Sequence, residues 1–199
     1  MSTTDTDKRA AVDTATATDT EPRGHAAPDA TAAHVTVATP TGSFTAVVDD
    51  TGAVLASGWT DDAVALLQGI HPTLRPSSSR WSSELTDVRD AVNAYFAGEI
   101  GAIDSVPVRQ RSGPYVEAVW DALRQIAAGS PLTFAALAEA AGRPTAIRAT
   151  AAACARNAVT LFVPCHRVLR QNGTIAGFRY GAPLKQWLLT YEDGGTPTY

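Results

Sequence analysis

Cysteine is scarce in this chain of 199 residues, which contains only Cys154 and Cys165. So few thiols argue against a disulfide framework, and the four scattered histidines do not have the ligand spacing of a metal site. The chain also lacks an apolar run approaching the roughly 20 residues needed to cross a bilayer, and its N-terminus lacks the apolar core of a secretory signal. We therefore expect a cytoplasmic protein with free thiols, no metal site and no membrane partner.

The low net charge of −4 conceals an uneven distribution. Residues 1–106 contain 6 basic and 15 acidic residues, whereas residues 107–199 contain 10 basic and 5 acidic ones, almost all of the basic ones arginines. This asymmetry is typical of a protein in which one domain meets nucleic-acid phosphates and the other does not. A helical bundle with solvated arginines would show the same distribution, so charge alone does not decide.

The N-terminal half predicts a tail followed by a small domain. Residues 1–33 are rich in Thr, Ala and Asp with few large apolar side chains, which predicts a disordered tail. In residues 34–106, the segments `HVTVATPTG`, `SFTAVVDDTG` and `AVLASGWTDD` predict three short strands. Helices are expected over about 62–69 and 84–97, the second behind a Ser82/Ser83 cap. We expect a small antiparallel sheet with helices, ending in a linker over residues 97–107.

The second domain, residues 107–199, is predicted to be mostly helical, which makes the whole chain α+β. Apolar residues at helical spacing predict a helix over 113–127 with Pro114 in its first turn. The segment `SPLTFAALAEAAGRPTAIRATAAACARN` predicts two more helices, with Gly142 ending the first and Pro144 opening the second. This is a helix-turn-helix pattern. By itself it is equally well explained by packing between helices.

The segment `LFVPCHRVLRQNG`, residues 161–173, places Cys165 and His166 side by side. A free cysteine is mostly protonated at neutral pH, so a nucleophilic thiolate requires a base, and imidazole can take the proton directly or through a water. The apolar run before Pro164 predicts a buried strand ending at the cysteine. Neighbouring residues of a strand point to opposite sides, so a turn or a water would have to connect the pair. From this segment alone, an inert buried cysteine is the simpler interpretation.

The longer context, residues 107–192, closely resembles the O6-alkylguanine-DNA alkyltransferases, most of all the C-terminal half of the bacterial adaptive-response type. The resemblance is carried by `PCHRV`, by `RATAAACARN` before it and by `LLTYE` after it. It implies a ribonuclease-H-like first domain over residues 34–106 and a monomer that binds double-stranded DNA. The implied function is to flip O6-alkylguanine out of the duplex and to transfer the alkyl group irreversibly to Cys165, without a metal or organic cofactor. O4-alkylthymine is a second candidate substrate.

The resemblance also implies roles for individual residues. Cys165 matches the alkyl acceptor, His166 the general base that acts through a water, and Glu192 the carboxylate that orients it. Asn157 matches a hinge asparagine, although a plain helix C-cap also explains it and both can hold. Arg148 matches the arginine that fills the gap left by the flipped base. Other positions match residues that contact DNA: Thr133, Phe134, Ala149, Ala151 and Ala152. Further positions match the base pocket: Phe134, Cys154, Thr160, Val168, Phe178, Arg179 and Lys185. Among them, Val168 and Arg179 match positions whose backbone carbonyl and N–H hydrogen-bond the guanine.

Two positions depart from the family pattern, because Phe134 and Phe178 occupy sites where tyrosine is usual. Phenylalanine keeps the ring but lacks the hydroxyl donor, which predicts a working but slower transfer. The interpretation of Lys185 also stays open, since a solvated helix lysine explains it equally well.

Two other functions are compatible with the residues. A regulatory protein could bind alkylated bases without repairing them, but relatives of that kind lack the cysteine. A Cys-His hydrolase would need an oxyanion hole and a substrate groove, and the sequence shows no sign of either.

Overall fold

The computed structural model describes residues 31–198, so the predicted tail lies outside the described residues except for its last three positions. These three belong to a strand, because β1 begins at Thr31 and buries Ala32. The folded part therefore starts earlier than the predicted boundary at His34. Four strands form the N-terminal sheet in the order β3-β2-β1-β4: β1 (Thr31–Thr39), β2 (Gly42–Val48), β3 (Val54–Gly58) and β4 (Ser78–Trp81).

The first three strands form the predicted antiparallel arrangement, but the fourth makes the sheet mixed. The register of β1 and β2 pairs Thr39 with Gly42 across a tight turn, and β3 follows on the other edge of β2. Strand β4 pairs in parallel with β1. Parallel neighbours need a crossover connection, which here contains α1 (Ala63–Leu67). The expectation of a wholly antiparallel sheet is wrong at this edge, because the polar sequence of β4 shows no alternation from which its pairing could be predicted.

The connection between the two halves is part of the core rather than a free linker. Helix α2 (Thr86–Phe96) begins after Leu85, and the expected serine cap is not formed. The predicted linker contains a 3₁₀ helix, Ile100–Ile103, whose last residue is buried together with Val106. Just beyond it, the chain hydrogen-bonds to both sides of Val54 and so extends the sheet beyond β3.

The C-terminal half consists of helices around a two-stranded parallel sheet. Its elements are α3 (Pro114–Arg124), β5 (Leu132–Thr133), α4 (Phe134–Ala140), α5 (Ile147–Ala155), β6 (Val168–Leu169) and α6 (Ala182–Glu192). Gly142, with φ of 77°, follows the end of α4 as predicted. Helix α5 starts later than expected, because Pro144 lies in the turn before it. In the described part of the chain, no helix is both long and apolar enough to cross a membrane.

The segment before the cysteine is buried but is not the predicted strand. Residues 161–163 form a turn in which Leu161 has φ of 74°, and a 3₁₀ helix, Cys165–Arg167, follows. The side chain of Asn157 hydrogen-bonds to the Val159 N–H and to the Val163 carbonyl. These buried backbone groups therefore have partners although residues 161–163 do not form a strand.

Buried hydrogen bonds join the N-terminal sheet to the C-terminal half, which predicts one cooperative unfolding transition. The Ser57 hydroxyl donates to the Thr160 carbonyl at 2.7 Å, and the Thr160 hydroxyl donates to the Ser57 carbonyl at 2.7 Å. Ser57→Ala leaves a buried carbonyl without its donor, so we expect it to lower the free energy of unfolding by about 1–3 kcal/mol. Urea unfolding measures this loss.

The control for this substitution is Ser43→Ala on the exposed part of β2, which should change the free energy of unfolding by less than about 0.5 kcal/mol. Equal effects of the two substitutions, or two separate transitions in the wild type, would contradict the prediction.

Candidate active site

A pocket of about 290 Å³ lies between α4, α5, the cysteine segment and the chain before α6. The structure brings many of the predicted site residues together around it. They are Phe134, Ala151, Cys154, Asn157, Thr160, Cys165, Phe178, Arg179 and Lys185. Of the residues predicted for the base pocket, Val168 does not line it. It is fully buried beneath the pocket.

The 3₁₀ helix Cys165–Arg167 explains how the adjacent Cys165 and His166 can have the different tasks predicted for them. Successive residues of a 3₁₀ helix are rotated by about 120°, so Cys165 can line the pocket while His166 points into the core. The histidine is fully buried, and 8% of the cysteine is exposed. This turn replaces the strand expected from the apolar sequence and positions both side chains.

Glu192, at the end of α6, is the centre of a buried polar network. Its carboxylate lies 2.9 Å from Nε2 of His166 and accepts two hydrogen bonds, each 2.9 Å long, from Arg167. The Tyr95 hydroxyl donates to the same carboxylate at 2.8 Å, and Arg167 also donates to the carbonyl of Ile126. Neither Arg167 nor Tyr95 was predicted. An arginine next to a buried apolar run needs a buried acid as its partner, so Arg167 could have been found from the sequence. Nothing in the sequence near Tyr95 indicates its partner.

The protonation states within this network follow from its contacts. Burial by itself raises the pKa of Glu192, but the charges and hydrogen bonds of His166 and Arg167 outweigh it and lower that pKa to about 2. Burial lowers the pKa of His166 more than Glu192 raises it, so the imidazole is neutral. Its Nε2–H faces the carboxylate, and buried Nδ1 has no hydrogen-bond partner among the described residues. Nδ1 is therefore the nitrogen available as a base.

Both cysteines rest as thiols. Burial raises the pKa of Cys165, while a hydrogen bond from Asn157 and the charges of Lys185 and Arg179 partly offset that rise. Burial likewise raises the pKa of Cys154 to about 12. At neutral pH a base is needed before Cys165 can act as a nucleophile.

Lys185 is buried and lines the pocket, so the interpretation as a solvated helix lysine is wrong. Its ammonium donates to the carbonyl of Val168 at 2.6 Å, the carbonyl that the resemblance assigned to the guanine. An ammonium has three donors, which leaves two for other acceptors. Burial lowers the pKa of Lys185, and the neighbouring cysteines raise it.

Asn157 connects α5 to the nucleophile through its side-chain amide. The amide donates to the Val163 carbonyl at 2.8 Å and accepts from the Val159 amide at 3.0 Å, as a hinge residue would. Gln110, which was not predicted, holds it in place. Its amide donates to Asn157 at 3.1 Å and accepts from the backbone of Ala158 at 2.9 Å. The plain helix cap considered for this position is at Arg156 instead.

Helix α5 presents small residues and one arginine to the solvent. Arg148, Ala149 and Ala152 are exposed, whereas Ala151 is half-buried and lines the pocket. On its inner side, the Trp120 ring donates to the Ala153 carbonyl at 2.9 Å and fixes the helix to α3.

The two aromatic walls of the pocket belong to the C-terminal half, and one of them packs against the N-terminal half. Phe134 is the first residue of α4, and the hydroxyl of Thr133 caps that helix by accepting from Ala136 at 3.2 Å. Phe178 packs edge-to-face against Trp59, with ring centres 6.2 Å apart. Thr133 therefore has a structural task beside the DNA contact that the resemblance implies.

A buried thiol, a neutral histidine with its carboxylate, and an exposed helix beside the same pocket define a nucleophilic cysteine protein of the helix-turn-helix class. Residues 114–194 match the family model described as 6-O-methylguanine DNA methyltransferase, DNA binding domain. The chain is 34% identical over 158 residues to the methylated-DNA–protein-cysteine methyltransferase of Shigella flexneri, covering 78% of this chain and 92% of that protein. The chain belongs to the methylated-DNA–protein-cysteine methyltransferase family.

Two further comparisons agree with this assignment. The chain is 42% identical over 88 residues to the bifunctional transcriptional activator/DNA repair enzyme Ada of Escherichia coli, covering 44% of this chain and 25% of that protein. The crystal structure of Mycobacterium tuberculosis OGT in complex with DNA matches with a TM-score of 0.69 at 25% identity, covering 83% of this chain and 96% of that one. The family and the fold class expected from the sequence are confirmed.

The buried His166–Glu192 pair predicts how stability depends on pH. Both groups have lowered pKa values, so the unfolded chain binds their protons first as the pH falls. The histidine contribution is present above its ordinary pKa of 6.5 and is lost progressively below it. The glutamate contribution is lost as the pH falls from 4.5 to about 2, a loss on the order of 3 kcal/mol.

Urea unfolding between pH 8 and pH 3 measures this dependence. His166→Asn removes the first titration and should flatten the upper part of the curve relative to the wild type. A wild-type stability that rises as the pH drops from 7 to 5 would contradict the assignment of a neutral buried histidine.

Proposed function

We propose that this protein is a DNA-repair alkyltransferase that flips O6-alkylguanine out of duplex DNA and takes the alkyl group onto Cys165, once per molecule. The observation that carries the proposal is the position of Cys165, on the wall of a pocket beside α5 and backed by His166 and Glu192. Chemistry at guanine O6 is blocked inside the base stack, so the base must leave the duplex to reach this thiol. With DNA as its substrate, the protein is proposed to act in the cytoplasm as a monomer without a cofactor.

In the transfer step, the sulfur of Cys165 attacks the alkyl carbon. The S–C bond forms as the C–O6 bond breaks, and the electron pair of that bond stays on the guanine. The thiol proton passes through a water to Nδ1 of His166, and Glu192 stabilises the imidazolium. The guanine anion finally takes up one proton at N1, which restores the neutral imidazole. The products are unmodified guanine and a thioether, so the nucleophile is consumed.

Positive charge around the pocket supports this step. Lys185 and Arg179 both stabilise charge on the sulfur, and both line the pocket that would receive the base. Negative charge moves from the sulfur to guanine O6 during the transfer, so the same groups also stabilise the leaving group. The remaining donors of Lys185 are available for that oxygen.

The exposed side of α5 fits the minor groove of DNA. Ala149 and Ala152 allow a close approach of the helix backbone, and Arg148 is a planar cation that can stack in the gap left by the base. The alanines have no group that reads base edges, and the arginine is assigned to the gap. We expect binding with little sequence preference and a strong dependence on salt concentration.

Intact mass spectrometry tests the proposed nucleophile. After incubation with duplex DNA that carries one O6-methylguanine, the wild type should gain the mass of one methyl group and no more. Cys165→Ser should gain none, because it lacks the acceptor. Cys154→Ser is the matched control, since it removes the other thiol of the same pocket, and it should still be methylated. Tight binding without any mass change would overturn the proposal and indicate a protein that recognises lesions without repairing them.

Phe134→Tyr tests the departure from the family pattern. The phenylalanine ring lines the pocket but offers no hydrogen bond to the departing guanine. A tyrosine hydroxyl would restore a donor, typically about 1–3 kcal/mol, or roughly tenfold to a hundredfold in rate. We expect a faster single-turnover transfer from duplex DNA. Phe178→Tyr serves as the comparison and should have a smaller effect, because a pocket wall requires mainly the ring. An unchanged or lower rate for Phe134→Tyr would contradict this account.

A further inference from the structure

Helix α5 begins with an exposed apolar residue. Within residues 31–198, the large hydrophobic side chains that are exposed are Val64, Trp81 and Ile147. The first two lie in the N-terminal half, whereas Ile147 is the first residue of α5 and is 44% exposed. It directly precedes Arg148. The next two solvent-facing positions of the helix are Ala149 and Ala152. The isoleucine is therefore the bulkiest apolar side chain on this side of the helix.

Helical geometry places Ile147 at the rim of the pocket. Ala151, Cys154 and Ala155 all line the pocket, and they lie four, seven and eight positions after the isoleucine. Residues at these spacings share one face of a helix. The fully buried positions Thr150 and Ala153 belong to the adjoining inner face. Ile147 therefore continues the pocket-lining face by one turn, roughly 6 Å beyond Ala151.

Ile147 and Arg148 stand side by side in the first turn of the helix. Successive helix residues are about 100° apart, so Ile147 lies on the pocket-lining face and Arg148 lies at the edge of that face, at nearly the same level. Side chains in a helix lean toward its N-terminus. The side chains of Ile147 and Arg148 therefore point away from the pocket interior and toward a molecule that approaches the pocket opening. A base that leaves the stack exposes the apolar surface of the bases beside it.

We propose that Ile147 is an apolar wedge that packs against the sugar and base next to the gap when the target nucleotide is flipped, while Arg148 occupies the gap itself. The inference rests on the proposed function, because it assumes that α5 enters the groove beside the lesion. Branched apolar side chains serve as wedges in other minor-groove proteins, where they fill space between unstacked bases. The contact forms only after the base has left the stack, so it stabilises the flipped state and not the initial encounter.

Single-turnover transfer with two substrates tests the wedge. One is a duplex with a single O6-methylguanine, and the other is the corresponding single strand, in which little pairing or stacking must be broken. Ile147→Ala should slow methyl transfer from the duplex about tenfold and change transfer from the single strand less than about twofold. Ile147→Leu keeps the apolar volume and should restore most of the duplex rate. Val64→Ala, which truncates an even more exposed apolar side chain on α1 of the N-terminal half, should leave both rates unchanged.

Two results of the transfer experiment would overturn the wedge. Either an unchanged duplex rate for Ile147→Ala or an equal loss on both substrates would do so, because an equal loss would mean that the residue shapes the pocket itself. A second measurement separates this inference from the chemistry. In the Cys165→Ser background, fluorescence of 2-aminopurine placed beside the lesion reports unstacking, and Ile147→Ala should reduce its rise on binding. Absence of methyl transfer by the wild type would overturn the proposed function, whereas an undiminished fluorescence rise would overturn the wedge.

Discussion

The carboxylate of Glu192 is almost fully buried at the C-terminal end of α6, where the helix dipole also disfavours negative charge. An unpaired charge in such a place would cost several kcal/mol, so its partners are obligatory. Arg167 neutralises it, and Tyr95 and His166 complete its hydrogen bonds. These partners come from the 3₁₀ helix at the nucleophile and from α2 of the N-terminal half. The interaction that orients His166, the proposed base, therefore also joins α6 and the 3₁₀ helix to α2 of the N-terminal half.

A second constraint concerns the connection between α5 and Cys165. The chain from the end of α5 to Cys165 is short and turns through a left-handed residue, Leu161. The side chain of Asn157 spans this turn with a hydrogen bond to the Val163 carbonyl, and Gln110 donates a hydrogen bond to Asn157. Gln110 belongs to the segment that extends the N-terminal sheet at Val54. Movement of α5 on DNA would therefore be transmitted to the thiol through a stiff connection that is anchored in the sheet.

The sequence predicted those features that depend on local pattern or on the motif. Local signals predicted the helical spacing of α3, the glycine after α4 and the Cys-His pair. The resemblance to the family then linked that pair to Glu192. The buried turn at Leu161 was missed because an apolar run looks the same whether it is a strand or a turn enclosed on every side. Tyr95 and Gln110 were missed for another reason. Their partners lie 97 and 47 residues away, so only the folded structure brings them together.

The electrostatics of the resting site suit a protein that reacts only once. Burial keeps Cys165 protonated and His166 neutral, so forming a thiolate–imidazolium pair in the empty pocket is unfavourable. A protonated thiol reacts poorly with small electrophiles and oxidants, which protects a nucleophile that cannot be regenerated. When a flipped base fills the pocket, bulk water is excluded and the charges of Lys185 and Arg179 act more strongly on the sulfur and on guanine O6. Deprotonation is then coupled to the transfer itself. In that transfer, guanine O6 of the lesion accepts the negative charge that burial disfavours on the sulfur. The burial that lowers the reactivity of the resting thiol therefore also makes the reaction selective for the alkylated base.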